Sequence, residues 1–290
     1  MSKLSIVLAT YNEESNILDC LNSIKDIASE IIIVDGSSND KTVEIAKEFG
    51  AKVTITDNPP IFHINKQKAL DQAKYDWILQ LDADERVSKE LSKEITAVIN
   101  MSSDQLVKHQ EGLKDRHLFL RNQSLLEESS GKVGDNQGDL VAFFLPRLNY
   151  FLGKYLKYGG VYPDGAIRLV KRDQAHFPCK SVHEIMEVKG RVGWLGSPLY
   201  HVDSPTFDRY LSRNKRYINL IAKELERDKV AKNVSQFINY CLIKPLHWFL
   251  LTVFRHKGLL DGWQGIVFSF FSALRFPRAY LQFLFSKETS

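Results

Sequence analysis

The stretch Trp77-Ile78-Leu79-Gln80-Leu81-Asp82-Ala83-Asp84-Glu85 reads as one apolar strand that delivers carboxylates at its C-terminal end. In an open α/β sheet, that end of a strand is where ligands bind. If the strand continued, alternation would point Asp82 and Asp84 the same way. Several carboxylates packed together are costly unless a cation neutralises them. A hard divalent ion with oxygen ligands, Mg²⁺ or Mn²⁺, meets that need and would bridge to substrate phosphates. On its own, an acidic turn after a strand also reads as helix capping.

Working outward, Leu4–Ala9 is an apolar run broken by Thr10-Tyr11-Asn12-Glu13, and Ile17, Leu18, Leu21 and Ile24 follow at helical spacing. Glu30–Val34 forms a second buried strand that ends in Asp35-Gly36-Ser37-Ser38. A short helix carries Val43, Ala46 and Phe49, with Gly50 as its C-terminal cap. Lys52–Thr56 predicts a third strand, His63–Ala73 a helix, and Leu91, Ile95, Val98 and Ile99 one face of another. This alternation predicts an α/β fold, a mostly parallel central sheet flanked by helices. Three polar signatures, at residues 10–13, 35–38 and 82–85, then share one edge of the sheet. There Asp35 can accept from a base N–H and Tyr11 can pack on its ring, although each segment alone also reads as turn chemistry.

The chain has 290 residues, 44% of them hydrophobic and 26% charged, which suits one large α/β domain with an appendage and excludes disorder. Cys20, Cys179 and Cys241 form no CxxC pair, so neither a disulfide framework nor a structural zinc is expected. Met1–Lys3 runs directly into a strand, so no secretory leader is expected and the sequons at Asn122 and Asn233 carry little weight. Residues 101–139 are polar and rich in Ser, Gln, Glu, Lys and Gly, which predicts a mobile insertion or surface loop. Leu140–Leu145 restores a strand, and 166–202 reads as short strands and turns. Ser204-Pro205 is expected to open a helix, Ser as cap, with Phe207, Tyr210, Leu211, Tyr217, Ile218, Ile221 and Leu225 on one stripe.

The end differs in kind. Phe237–Phe285 holds 13 aromatic residues among Lys244, Arg255, Lys257, Arg275 and Arg278. Pro245, Pro277 and the charges are expected to keep each apolar stretch short of the ~20 residues that span a bilayer. From Thr206 onward there are 14 Lys and Arg against 6 Asp and Glu, while the preceding part carries 25 against 29. Aromatics interleaved with cations suit helices lying against an anionic membrane, at the inner face of the cytoplasmic membrane. A helix pair packed on the domain core is the alternative, and no nucleic acid is expected as partner.

The segments "LSIVLATYNEESNI", "IIIVDGSSNDKT", "NKQKALDQA" and "WILQLDADERVS" resemble the nucleotide-binding half of family 2 glycosyltransferases, which have the GT-A fold. "RLNYFLGKYLKYGGVYPDGAIRLVKR", "SVHEIMEVKGRVGWL" and "PLYHVDS" are similar to bacterial lipopolysaccharide core β-glucosyltransferases, with 101–139 the main departure. The resemblance implies a catalytic domain over 1–203, in halves 1–100 and 140–203, and a helical extension over 204–290. It implies a nucleotide-diphosphate sugar held by Thr10, Tyr11, Glu13 and Asp35, with Lys66 near the phosphates and Asp82 and Asp84 as a DxD-type metal site. It places the catalytic base at Glu184, which would deprotonate the hydroxyl of a glycan or glycolipid acceptor in an inverting transfer. Arg147, Arg168, His183 and His201 are weaker candidates for phosphate or acceptor contact, and Asp164 is the next place to look for a base. A sugar-nucleotide pyrophosphorylase would need a Gly-rich, Arg-containing loop after the first strand, which "ATYNEES" does not offer. A non-catalytic sugar-nucleotide-binding module is disfavoured by the intact Asp82, Asp84 and Glu184.

Overall fold

The structure, a computed structural model, describes residues 2–181 and 184–286. By internal contacts the chain forms two compact units, Met1–Arg147 with Pro163–His201, and Leu148–Tyr162 with Val202–Ser290. The hairpin within 148–162, expected in the acceptor half, therefore groups with the C-terminal helices.

The first unit opens with β1 (Leu4–Thr10), α1 (Ile17–Ile24), β2 (Glu30–Asp35), α2 (Thr42–Glu48), β3 (Lys52–Ile55), α3 (His63–Asp71) and β4 (Trp77–Leu81). It continues through β5 (Glu85–Val87), α4 (Lys89–Val98), α5 (Ser103–Glu111), α6 (Arg116–Ser130) and β6 (Leu140–Phe151). β7 (Lys154–Leu156) belongs to the second unit. β8 (Asp164–Lys171), β9 (Ala175–His176), β10 (Glu187–Val188), β11 (Arg191–Trp194) and β12 (Leu199–Ser204) follow. The sheet order is β3-β2-β1-β4-β8-β6-β12-β5, with β11 paired to β6.

The first four strands are parallel, as the βαβ alternation requires. Thr10 pairs with Asp35 and Leu8 with Leu81, so the three polar signatures leave the sheet along one edge. Beyond β4 the sheet turns antiparallel, β8 running against both β4 and β6 and β12 against β5. The link from β6 to β8 carries β7, antiparallel to β6, in place of the helix that a parallel crossover would use. The sheet is thus mixed, parallel from β1 to β4 and again where β11 pairs with β6. Ile6, Leu8, Ile33, Leu79 and Leu81 form its core with Ile17, Leu21 and Ile24 from α1 and Leu91 and Ile95 from α4.

Residues 101–139 are not the loop that their composition suggests. Ser102 caps α5 in a reciprocal capping box with Gln105. Leu106 and Phe119 are buried, and the Phe119 ring stacks on Trp194 at 4.9 Å between centroids. Gln110 closes the attachment, its amide donating to the Trp194 carbonyl (2.8 Å) and accepting from the Trp194 N–H (2.7 Å). A few apolar anchors hold the two helices on the sheet, and average polarity hides so sparse a stripe.

In the second unit, α7 (Phe207–Arg227) is capped by Thr206, whose hydroxyl accepts from the Arg209 N–H. Ser204 instead ends β12, so the expected cap lies two residues early. Val234–Arg255 runs as one helix, α8, straight through Pro245. Its turns at 239–243 and 251–255 widen to i+5 spacing, and the first, just before Pro245, makes room for the ring that would clash with the preceding turn of a regular helix. The expectation that Pro245 cuts the apolar stretch short fails here: α8 is long and apolar enough to cross a bilayer, a test that a buried core helix also passes. α9 (Trp263–Phe285) packs on α7 through a core of Ala222, Leu225, Tyr280 and Phe283.

Phe119→Ala removes a buried ring and leaves a cavity beside Trp194, at a cost of about 3–5 kcal/mol. Urea denaturation should show a lower midpoint with unchanged slope; an unchanged midpoint would mean that α6 is not packed.

Candidate active site

The edge formed by β1, β2 and β4 carries the first group of expected residues. Asp35 is fully buried, its Oδ2 accepting from the Thr10 and Ser38 hydroxyls and its Oδ1 from the Ser38 N–H, each at 2.7 Å. Three hydrogen bonds hold the carboxylate at the strand end and leave little of it for a ligand. Glu13 accepts from Asn16 Nδ2, while its N–H donates to the Thr42 hydroxyl. Tyr11 is 43% exposed, its ring open to a stacking partner.

Asp82 and Asp84 do not act as a side-by-side pair. β4 stops at Leu81, and the turn that follows is closed by the Glu85 N–H donating to the Asp82 carbonyl (3.0 Å). The two carboxylates therefore take different partners. Asp82 is ion-paired to Lys66 Nζ and to Arg168 Nη2, each at 2.5 Å. Asp84 Oδ2 lies 3.5 Å from His201 Nε2. Among the described residues no group of three or more His, Cys, Asp or Glu converges on one point. The two expected metal ligands thus face different partners, Asp84 toward His201 and Asp82 toward two cations.

Arg168 is the centre of this arrangement. It donates from Nε and Nη2 to Glu85 Oε1 (3.2 and 2.7 Å), from Nη2 to Asp82, and from Nη1 to the Gln80 side-chain carbonyl. Arg147 pairs with Asp164 (2.9 Å) and lies 3.7 Å from Glu85. Lys66, Arg147 and Arg168 thus balance Asp82, Glu85 and Asp164 in a largely water-free cluster. Burial would raise the Asp82 pKa, but Arg168 and Lys66 outweigh it and hold the carboxyl well below its usual range. Burial lowers Lys66, with Asp82 opposing. Burial would also lower Arg147 and Arg168, yet their carboxylate partners leave both above the ordinary arginine value.

Glu184 completes the site. Its Oε2 accepts from the Lys180 and Ser181 N–H groups (2.9 and 3.0 Å). Its Oε1 is buried without a hydrogen-bond partner among the described residues, 3.5 Å from His63 Nδ1. The Ser181 carbonyl, 3.1 Å from the same nitrogen, can only accept, so Nδ1 carries the hydrogen. Burial keeps His63 below its usual pKa and therefore neutral. Burial would raise Glu184, but the backbone amides of Lys180, Ser181 and Cys179 outweigh it and leave the carboxyl below its usual value. His183 lies outside the described residues.

His63, Lys66, Asp82, Arg147, Arg168 and Glu184 line one cavity of about 310 Å³. Glu184, with Ile185 and Met186, also lines a second cavity of about 620 Å³ that reaches residues 129–134. The structure thus gathers the Lys66, Asp82, Arg147, Arg168 and Glu184 candidates around one space, while Thr10, Tyr11, Glu13, Asp35, Asp84 and His201 are not among its lining residues. Glu85, Gln80 and His63 were not singled out from the sequence. Gln80, a polar residue inside the apolar run from Trp77 to Leu81, was the available signal.

Residues 5–152 match the sequence model of glycosyl transferase family 2. An uncharacterised glycosyltransferase of Rickettsia typhi is 27% identical over 281 residues, covering 96% of this chain and 86% of its own. A mannosyltransferase of Pyrobaculum calidifontis, solved with GDP-mannose and Mn²⁺, is 12% identical with a TM-score of 0.43, over 99% of this chain and 88% of that one. The glucosyl-3-phosphoglycerate synthase of Mycobacterium tuberculosis, solved with Mn²⁺, UDP-glucose and phosphoglyceric acid, is 25% identical with a TM-score of 0.27, over 29% and 34%.

Arg168→Met should cost about 3–5 kcal/mol, because it leaves Glu85 buried without its main cation. The acid limb carries a second signature. Asp82, with its depressed folded pKa, contributes stability fully above its unfolded pKa of about 3.9, and that contribution fades as pH falls through the folded value. In Arg168→Met the acid loss should begin at higher pH. Urea titrations from pH 3 to 7 test both points, and wild-type stability throughout would remove Arg168 from the centre of the cluster.

Proposed function

The chain belongs to glycosyl transferase family 2, and we propose that it moves a hexosyl group from a nucleoside-diphosphate donor, UDP being the expected carrier, to an acceptor hydroxyl with inversion. The GT-A fold of that family is the one described above, a parallel nucleotide-binding half followed by antiparallel strands. The observation that carries the proposal is the Glu184 carboxylate, which lines both a cation-lined cavity and a second, larger one and whose Oε1 has no hydrogen-bond partner among the described residues.

In this reading the donor diphosphate occupies the smaller cavity and the acceptor reaches Glu184 from the larger. Glu184 Oε1 takes the acceptor hydroxyl proton while the acceptor oxygen attacks the anomeric carbon. The bond from that carbon to the diphosphate breaks on the opposite face, and the configuration inverts. Lys66, Arg147 and Arg168 meet the charge that develops on the departing diphosphate, in a site already shaped for it. Tyr11 offers its exposed ring to the base, at the strand edge that Asp35 and Thr10 hold in place.

A divalent ion fits Asp84 and His201. Asp84 would supply a carboxylate oxygen and His201 the Nε2 that lies 3.5 Å from it. Mg²⁺ or Mn²⁺ held there would stabilise charge on the diphosphate oxygens.

For the acceptor we propose a bacterial envelope glycan on a lipid carrier, of the lipopolysaccharide core type, met at the inner face of the cytoplasmic membrane. Support comes from the second unit, where Leu242, Ile243, Leu246, Leu250 and Phe254 on α8 and the following Leu259, Leu260 and Trp263 are exposed. Arg255, Lys257 and Arg278 are exposed cations in the same unit. Such a surface suits the headgroup region of an anionic leaflet.

Glu184→Gln should bind UDP as the wild type does but lose about 10²–10⁴-fold in kcat. Because the folded Glu184 pKa lies below the usual glutamate value, wild-type activity should persist as pH falls and be lost only below that value. Wild-type turnover in the variant, measured by UDP release, would move the base elsewhere.

Reversing charge at Arg255, Lys257 and Arg278 should weaken sedimentation with anionic vesicles, since each cation near the leaflet is worth about 1 kcal/mol. The wild-type affinity should also fall with salt. Equal binding by the reversed protein would end the electrostatic account.

A further inference from the structure

The second unit encloses a cavity of about 250 Å³ that the sugar-transfer reading does not use. Its charged lining residues are Asp203, Arg213 and Arg275. Asp203 and Arg213 neutralise each other at 2.6 Å. Arg275 is different: among the described residues no carboxylate pairs with it, its Nε is buried without a hydrogen-bond partner, and its guanidinium lies over the rings of Trp248 (4.5 Å) and Phe276 (5.1 Å). The cavity therefore keeps one uncompensated positive charge. Burial pushes Arg275 below the ordinary arginine value, with only Tyr210 opposing.

A second unpartnered donor belongs to another residue of the same wall. Asn214, on α7, is 7% exposed, and its Nδ2 has no partner among the described residues. Buried donors are almost always satisfied, and leaving one unmade costs about 1–3 kcal/mol. Two orphaned donors from different helices, one of them cationic, call for an acceptor with several oxygens and a negative charge. Much of the remaining wall is aromatic and apolar, including Phe151 and Phe268 beside Tyr210. A volume near 250 Å³ lies under the roughly 300–1,000 Å³ of pockets for drug-sized ligands, too small for a nucleotide sugar. It suits a phosphate and the first few carbons attached to it.

We propose that this cavity binds the phosphate of an amphiphile, with Arg275 and Asn214 on the phosphate oxygens and the aromatic wall against the apolar body. The site lies wholly in the second unit and does not rest on the assignment of Glu184 or of the donor cavity.

Calorimetric titration of the full chain tests it with hexyl phosphate, inorganic phosphate and 1-hexanol. Hexyl phosphate should bind at least about tenfold tighter than either of the others, because only it satisfies both the donors and the wall. Arg275→Gln should weaken hexyl phosphate at least about tenfold while leaving UDP binding and the melting temperature unchanged. If Arg275→Gln does not fold, Asn214→Ala should show a smaller loss of the same kind. Absent binding of hexyl phosphate, or wild-type binding in the variants that fold, overturns the proposal. Inorganic phosphate binding as tightly as hexyl phosphate also overturns it, by assigning the donors to a free anion.

Discussion

The bond set of Arg168 is the constraint on which the site depends. Its guanidinium ties β8 to the end of β4 through Gln80, to the turn through Asp82 and to β5 through Glu85. Glu85 in turn accepts from the Asp82 N–H (2.9 Å), so one buried carboxylate serves both the arginine and the turn backbone. With both ends of the 82–84 turn held, Asp82 is directed toward Lys66 and Asp84 toward His201. Lysine could not replace this residue, because three ammonium protons on a flexible stem cannot reach three acceptors fixed in a plane. An apolar cluster of the same volume would be as stable or more so. Charge is kept here for what it does to a ligand.

Three cations that already face three carboxylates form a site that is neutral in total yet directional. Lys66 and Arg168 are buried, so in the proposed reading a diphosphate that reaches the cavity would meet donors largely stripped of water by folding. What it must displace is the hold of Asp82, which is the more exposed partner of the two pairs, its side chain 29% accessible against 9% for Lys66 and 6% for Arg168. Glu85 remains behind, fully buried. The cluster thus combines an exchangeable carboxylate with a permanent one, and the permanent one keeps Arg168 in position while the other yields.

Local pattern made the parallel half legible. Five-residue apolar runs, each followed by a polar turn, prescribe buried strands that end at a common edge, and the register of Thr10 with Asp35 follows from that. The turn after Leu81 was not legible, because alternation holds only while a strand continues, and β4 stops one residue before Asp82. The partners of Asp82 lie 16 and 86 residues away, at Lys66 and Arg168, and no local rule reaches so far. The helices of 101–139 were missed for a different reason: two buried residues, Leu106 and Phe119, anchor them within a polar average. In the tail, composition grouped Arg275 with the exposed cations, whereas the structure places it against Trp248 at the wall of a cavity.

The two oxygens of Glu184 divide the work that a catalytic base requires. Oε2 is fixed by two backbone donors and so sets the plane of the carboxylate, while Oε1 is left to receive a proton. The amides that fix it also lower its pKa, which keeps it ionised at neutral pH but makes it a weaker base than a free glutamate. Burial acts in the opposite sense and is already the largest influence on the group. If Glu184 is the base, as proposed, the carboxylate is therefore ionised and held in orientation before an acceptor arrives, the state that taking a hydroxyl proton requires.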